Sequence, residues 1–179
     1  MAQIDFYFSF RSPYSYLAID RMLELEKKYK AKLNIRPVLP MVMRGLPVPA
    51  KKGMYVVLDT ARIARDLGLS FGRISDPVGK GVENCMALYN LAVENNLEKE
   101  FIKSVTRGCW SEALNLAHEE DLEKTVTRAG LDFKKAKKLL QTTSWKEMTD
   151  NNQNELKNIG LWGVPSFNYR GIHLWGQDR

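Results

Sequence analysis

The sequence predicts an α/β fold in which both chain ends build one sheet and the middle of the chain is helical. Three observations lead to this prediction. A strand, a helix and a second strand follow one another within the first 38 residues, residues 82–161 carry only helical patterns, and a hairpin closes the chain. We therefore predict a discontinuous domain formed by residues 1–50 and 160–179, with an all-helical insertion domain at residues 51–159.

The opening segment, residues 4–17, runs from a strand directly into a helix. Its apolar residues alternate with more polar ones, which is the period of a strand; the alternating set is Ile4, Phe6, Phe8 and Phe10. Ser12 is the predicted N-cap and Pro13 the first helical residue, where a missing N–H costs nothing. The helix is expected to reach about Lys30. A helix start of this kind favours an anion, because its backbone N–H groups and its dipole both point at it.

A second strand is predicted over residues 32–38, and the helical crossover makes it parallel to the first. The segment Pro40–Pro49 follows and is too rich in proline and glycine for regular structure. Its apolar side chains indicate an apolar wall for a substrate; they are Met41, Val42, Met43, Leu46 and Val48.

The remaining elements follow from helical periodicity and turn residues. A helix over residues 51–68 is expected to end at Gly68. Later helices are predicted at residues 82–95, 97–109, 119–129, 133–141 and 144–159, with Asp132 and Ser144 as candidate N-caps of the last two. A strand entered through Pro165 then turns at Arg170-Gly171 and returns over residues 172–175.

Composition narrows the class of protein. The chain has 44% hydrophobic and 27% charged residues, which is typical of a soluble globular domain. It has no run of about 18 apolar residues and no secretory leader at its start, so we expect a cytoplasmic protein without a membrane partner. The net charge is +6, but basic residues are interleaved with acidic ones, which argues against nucleic acid as a partner.

The two cysteines do not indicate a redox or metal site. Cys85 and Cys109 form neither a C-x-x-C motif nor a metal-ligand spacing, and the two histidines are far from both in sequence. We expect two buried free thiols and no metal.

Three motifs in order, S-P-Y-S at 12–15, G-V-P-S-F at 163–167 and W-G-Q-D-R at 175–179, give the chain a family resemblance. It resembles the 2-hydroxychromene-2-carboxylate isomerases and kappa-class glutathione transferases, relatives of the disulfide oxidase DsbA. The resemblance covers essentially the whole chain and implies a thioredoxin-like fold with a helical insertion. Redox relatives carry C-x-x-C where this chain has Ser12 and Ser15, and a hydroxyl cannot exchange a disulfide.

The resemblance implies that Ser12 is catalytic and stabilises the thiolate of bound glutathione, the implied cofactor. It also implies that the Val164-Pro165 peptide bond is cis and that the backbone of Val164 pairs with the cysteine of glutathione. From the residues alone, Ser12 and Pro13 equally start an ordinary helix, and Pro165 equally opens an edge strand in the trans form.

The same resemblance assigns the ends of glutathione. Asp178 is expected to pair with the α-amino group and Gln177 to bind the α-carboxylate. Lys52, which lies with Asp59 in a pattern similar to the kappa-class helix, is expected to attract the glycyl carboxylate or the substrate. An exposed acid near a chain end and a surface lysine are the alternatives. The chain departs from the family in having no asparagine in the Pro40–Pro49 segment.

The resemblance thus predicts a glutathione-dependent isomerase for a small aromatic-derived 2-hydroxy acid. A thiolate would add to a conjugated double bond, allow rotation about it and then leave. A kappa-class-like glutathione transferase is the near alternative, and a redox-inactive DsbA-like binding domain is the alternative from another class. Members of the family are often homodimers, which the resemblance leaves open for this chain.

Overall fold

The structure, a computed structural model, describes residues 2–179 and is built around a four-stranded sheet. Its strands are β1 (Gln3–Phe8), β2 (Lys32–Pro37), β3 (Ser166–Tyr169) and β4 (Ile172–Trp175), in the order β2-β1-β3-β4. β1 and β2 are parallel, whereas β1–β3 and β3–β4 are antiparallel. The predicted sheet from both chain ends and its closing hairpin are confirmed.

Seven α-helices complete the fold within the described residues, and they match the predicted helices to within a few residues at each end. Their bounds are α1 Pro13–Tyr29, α2 Ala50–Asp66, α3 Lys80–Glu94, α4 Glu98–Ser111, α5 Glu119–Arg128, α6 Phe133–Leu139 and α7 Trp145–Asn158. The Asp132 cap of α6 is confirmed, because its side chain accepts hydrogen bonds from the backbone N–H groups of Lys134 and Lys135.

The Pro40–Pro49 segment is more regular than predicted. Met41–Arg44 forms one turn of 3₁₀ helix, which ends at Gly45 in the left-handed conformation with φ of 74°. The turn has the short length typical of 3₁₀ helices. The prediction that proline and glycine would exclude all regular structure here was therefore wrong for these four residues.

By their contacts, the residues fall into two compact units. The first contains residues up to Ile63 and Thr149–Arg179, and hence the sheet, α1, most of α2 and most of α7; the second is the helical unit Ala64–Met148. Residues 51–63 and 149–159 thus belong to the sheet unit, although the predicted insertion included them. The domain boundaries proposed from the sequence remain a prediction.

The core of the sheet unit is centred on β1, which has neighbours on both edges. Phe6, Tyr7 and Phe8 are all essentially inaccessible to solvent. Phe6 stacks on Phe167 of β3, and Tyr7 packs in a cluster with Val38 and Leu156. Because side chains on both faces of this central strand are buried, β1 holds the start of α1 on a rigid support.

Two further expectations bear on function. Cys85 and Cys109 are both buried free thiols, as predicted, and burial raises the pKa of each. Among residues 2–179, no helix is both long enough and apolar enough to cross a membrane.

Candidate active site

A cavity of about 570 Å³ opens at the start of α1, within the sheet unit. Its volume lies in the usual range for small-molecule sites, roughly 300–1,000 Å³. All six residues that the sequence analysis proposed for the site line it: Ser12, Lys52, Val164, Pro165, Gln177 and Asp178. Tertiary structure thus brings together residues from both ends of the chain.

Ser12 has the predicted place at the first turn of α1. Its Oγ accepts a hydrogen bond from the backbone N–H of Ser15 at 3.1 Å and donates to the carbonyl oxygen of Val164 at 3.4 Å. The first bond is the N-cap and the second is long, so the hydroxyl can redirect its hydrogen bond to a better acceptor. Ser12 therefore presents a donor to the cavity without losing its role as a cap.

Ser15, the second serine of the S-P-Y-S motif, has a different role. Its side chain is fully buried, and its Oγ accepts from the backbone N–H of Ser9 at 3.4 Å. Ser15 does not line the cavity, whereas Ser12 does. The motif therefore offers one hydroxyl to a ligand and uses the other to hold the turn between β1 and α1.

The Val164-Pro165 peptide bond is cis, as the family resemblance implied. The carbonyl oxygen of Pro165 accepts a hydrogen bond from the backbone N–H of Gly176 at 3.0 Å. The hydroxyl of Ser166 donates to the carbonyl oxygen of Gly163 at 2.7 Å. These bonds fix the proline segment to the end of β4 and place the Val164 carbonyl beside Ser12.

Gln177 and Asp178 lie at the other side of the cavity. Arg21 of α1 donates through Nη2 to both the backbone carbonyl oxygen and the side-chain Oε1 of Gln177. With its oxygen engaged, the Gln177 amide has its NH₂ group to offer to an anion. Asp178 is exposed and forms an ion pair with Arg179 at 3.9 Å.

One side of α2 faces the cavity. The residues that line it recur at helical spacing and are Lys52, Val56, Asp59 and Ile63. The hydroxyl of Tyr14, in the first turn of α1, donates to Oδ2 of Asp59 at 2.7 Å. Burial, followed by this hydrogen bond and the charge of Asp59, raises the pKa of Tyr14 well above its usual value. The phenol therefore stays protonated.

The apolar part of the cavity differs in detail from the prediction. Met41 and Val48 line it together with Pro40, but Val42, Met43 and Leu46 do not. An aromatic pair that was not predicted also lines the cavity: the ring centroids of Trp162 and Trp175 lie 5.4 Å apart. The segment is held in place by Arg44, which donates to the carbonyl oxygen of Trp162 at 2.9 Å.

Three contributors to this site were not predicted from the sequence: Tyr14, Arg21 and the Trp162–Trp175 pair. Tyr14 is part of the S-P-Y-S motif, so its place in the site could have been predicted from the sequence. Arg21 contacts Gln177, which lies 156 positions later in the sequence, and no local sequence pattern predicts such a contact.

The donors and acceptors in the cavity fit glutathione. Ser12 contributes a hydroxyl and Val164 a backbone carbonyl, and the two are in contact. Gln177 contributes an amide, Asp178 a carboxylate and Lys52 a cation to the cavity wall. Among residues 2–179, no three His, Cys, Asp or Glu side chains form a group that could hold a metal ion.

The comparison with protein families identifies the class of protein. The model of the DSBA-like thioredoxin domain matches residues 3–179. The chain therefore belongs to the DSBA-like thioredoxin domain family. A search of curated proteins found no match.

Solved structures give the same fold over nearly the whole chain. A 2-hydroxychromene-2-carboxylate isomerase has a TM-score of 0.81 at 21% identity, covering 99% of this chain and 90% of that chain. A probable DsbA oxidoreductase from Streptomyces coelicolor has a TM-score of 0.77 at 17% identity, covering 99% and 84%. The cytosolic disulfide reductase DsbM from Pseudomonas aeruginosa, solved with GSH, has a TM-score of 0.73 at 15% identity, covering 96% and 88%. At these identities the likeness defines the fold.

Proposed function

We propose that this protein is a glutathione-dependent isomerase for an aromatic-derived 2-hydroxy acid, similar to 2-hydroxychromene-2-carboxylate isomerase. The observation that supports it most directly is the pairing of the Ser12 hydroxyl with the Val164 carbonyl, 3.4 Å apart, in one cavity with Gln177 and Asp178. The similarity in fold to that isomerase, and to a disulfide reductase solved with GSH, points in the same direction.

Bound glutathione supplies a nucleophilic thiol. In this proposal Ser12 turns its proton from the Val164 carbonyl to the sulfur and favours the ionised form. A hydrogen bond to a charged acceptor contributes about 1.5–3 kcal/mol, which corresponds to a pKa about one to two units below the usual ~8.5 of a thiol. The N-terminal dipole of α1 acts in the same sense.

The other polar residues orient the ligand. The Gln177 amide, held by Arg21, binds the α-carboxylate, Asp178 pairs with the α-amino group, and Lys52 attracts a carboxylate of glutathione or of the substrate. The exposed rings of Trp162 and Trp175 offer an apolar surface to an aromatic substrate. Orientation of both reactants in one cavity is the main contribution expected of the protein.

The first experiment is calorimetric titration of glutathione into the wild-type protein and the Ser12→Ala variant. We expect binding by the wild type and a loss of about tenfold or more in the variant, from one hydrogen bond to a charged acceptor. An absence of binding by the wild type at millimolar glutathione would overturn the proposal.

The second experiment separates isomerase from transferase, which would use the same residues. Interconversion of 2-hydroxychromene-2-carboxylate with its open-chain isomer, followed by absorbance, should require both protein and glutathione. Consumption of glutathione with an electrophile such as a chlorinated nitroaromatic, and no isomerisation, would favour a kappa-class-like transferase. Peptide binding without either activity would favour a redox-inactive binding domain.

A further inference from the structure

Helix α2 directs one carboxylate, that of Asp59, into the cavity, where Tyr14 forms a hydrogen bond with it. Among residues 2–179, Tyr14 is the hydrogen-bond donor to Asp59, with its hydroxyl 2.7 Å from Oδ2. Tyr14 lies two residues after Ser12, in the same first turn of α1. A negative charge on the cavity wall is thus connected to the helix start at which we propose an anion.

The charged residues that line the cavity are mostly cations, and Asp59 is one of two carboxylates among them. Three cations line it, Arg11, Lys52 and Arg179, against two carboxylates, Asp59 and Asp178. Asp178 has Arg179 as its ion-pair partner. Lys52 makes no hydrogen bond or ion pair with residues 2–179, and it lies seven residues from Asp59. Seven residues correspond to about two helical turns, so Lys52 and Asp59 lie on the same side of α2 without forming an ion pair.

We infer that Tyr14 and Asp59 form an electrostatic pair that sets the potential at the start of α1: the Asp59 carboxylate disfavours an anion at Ser12, and the dipole of the Tyr14 hydroxyl that donates to it partly offsets this effect. Both are positioning residues, because they act on the potential at Ser12 without contacting the reacting atoms. The inference rests on the proposed function only in identifying the anion at Ser12 as the thiolate of glutathione.

Substitutions of Tyr14 and of Asp59 are therefore expected to have opposite effects on an anion at Ser12. Removing the Tyr14 hydroxyl removes the dipole that offsets the Asp59 carboxylate and so disfavours a nearby anion, whereas removing the Asp59 charge favours it. The effect of Tyr14 therefore depends on the charge of Asp59. If Tyr14 only packed α1 against α2, its substitution would have the same effect whether or not Asp59 is charged.

The test uses a thiol as a local probe, so that it does not depend on glutathione. Ser12→Cys introduces a thiol at the helix start, and its pKa is measured from the pH dependence of its alkylation rate. Cys85 and Cys109 do not interfere, because both are buried and burial raises the pKa of each. The probe is combined with Tyr14→Phe, with Asp59→Asn, and with both substitutions.

We expect Asp59→Asn to lower the pKa of the probe thiol by roughly half a unit or more, as removal of one charge at moderate distance would. Tyr14→Phe should raise that pKa by a smaller amount, because only a dipole is lost. Tyr14→Phe added to Asp59→Asn should change the pKa by less than about 0.2 units, since the charge on which the dipole acts is then absent. An equal rise in both backgrounds, or no change in any variant, overturns the inference. Tyr29→Phe and Asp66→Asn, both at exposed positions, are the matched controls.

Two safeguards keep the outcomes distinct. If Tyr14→Phe does not fold, as judged by circular dichroism, Asp59→Asn alone must still lower the pKa of the probe thiol, and its failure to do so contradicts the inference. Glutathione calorimetry on the wild type tests the proposed function separately. If the protein does not bind glutathione but shows the expected coupling between Tyr14 and Asp59, the proposed function is wrong and the inference about the electrostatic pair stands.

Discussion

The hydroxyl of Ser12 and the carbonyl oxygen of Val164 lie 3.4 Å apart although 152 positions of sequence separate them. The contact joins the start of α1 to the segment that precedes β3, and both line one cavity. A hydroxyl that is weakly bonded to a backbone carbonyl needs only a rotation about its C–O bond to donate to a ligand in the cavity instead. This contact is the centre of the candidate site.

We expect Ser12→Ala to have two separable effects. Loss of the N-cap should lower the free energy of unfolding by about 1 kcal/mol, because the Ser15 N–H loses its acceptor. Loss of the donor should weaken glutathione binding about tenfold or more. Chemical denaturation measures the first effect and calorimetry the second.

Ser12→Thr is the matched control, since threonine keeps the hydroxyl and caps helices nearly as well. It should recover most of the stability and a substantial part of the affinity. Equal binding by the alanine and threonine variants would remove Ser12 from the proposed mechanism.

We expect Arg21→Leu to weaken glutathione binding through Gln177. Arg21 holds both the backbone and the side chain of Gln177, so its loss frees the amide and adds the cost of ordering it on binding. The dissociation constant should rise by about threefold to tenfold, since ordering one side chain costs about 0.5–1.5 kcal/mol.

A double-mutant cycle provides the control for this prediction. Gln177→Ala should weaken binding as well, and Arg21→Leu added to Gln177→Ala should have little further effect, because the two residues act as a unit. Fully additive losses would show that Arg21 affects the ligand independently of Gln177.

We expect Gly163→Ala to displace the indole of Trp175. A Cβ at this position would lie 2.7 Å from Trp175 Nε1, closer than real Cβ contacts come. Because the Trp175 side chain is half exposed, the ring can move outward, so the loss of stability should be modest, about 1 kcal/mol. A shift in tryptophan fluorescence should accompany it.

Gly53→Ala is the control for Gly163→Ala. A Cβ there meets no atom within 4 Å, and Gly53 lies inside α2. Alanine is a better helix former than glycine, so this variant should be more stable by about 0.5–1 kcal/mol. An unchanged fluorescence spectrum in Gly163→Ala would contradict the predicted displacement of Trp175.

We expect acid to destabilise the sheet unit partly through Asp5. Burial alone would raise the pKa of Asp5, but hydrogen bonds from Asn34 and Arg36 outweigh it and hold the pKa below the usual 3.8. A carboxyl whose pKa is lower in the folded state stabilises the fold above its unfolded pKa and loses that contribution as the pH falls through the folded value. The free energy of unfolding should therefore decrease below about pH 4.

Urea denaturation between pH 7 and pH 2 measures this decrease. Asp5→Asn should be less stable than the wild type at pH 7 and should lose less stability below pH 4. Asp66→Asn, which removes a carboxylate that is largely exposed, controls for the change in net charge. A wild-type decrease that persists unchanged in Asp5→Asn would assign the effect to other carboxylates.

Local interactions explain why much of the fold was predictable. The Ser12 and Asp132 caps, the parallel pair of β1 and β2 and the closing hairpin each depend on residues within a few positions or one crossover of each other. The turn at Met41–Arg44 was missed because proline and glycine permit a short 3₁₀ turn as well as a loop.

The sequence by itself determined the elements and the residue types of the site. Two serines in place of two cysteines exclude disulfide exchange at the S-P-Y-S motif, because a hydroxyl has no such chemistry. Only the tertiary structure decided which serine faces the cavity and which residues support it. Ser15 is buried, Arg21 holds Gln177, and Tyr14 donates a hydrogen bond to Asp59. The Tyr14–Asp59 and Arg21–Gln177 contacts span 45 and 156 positions, and side-chain direction at such separations is set by packing rather than by local pattern.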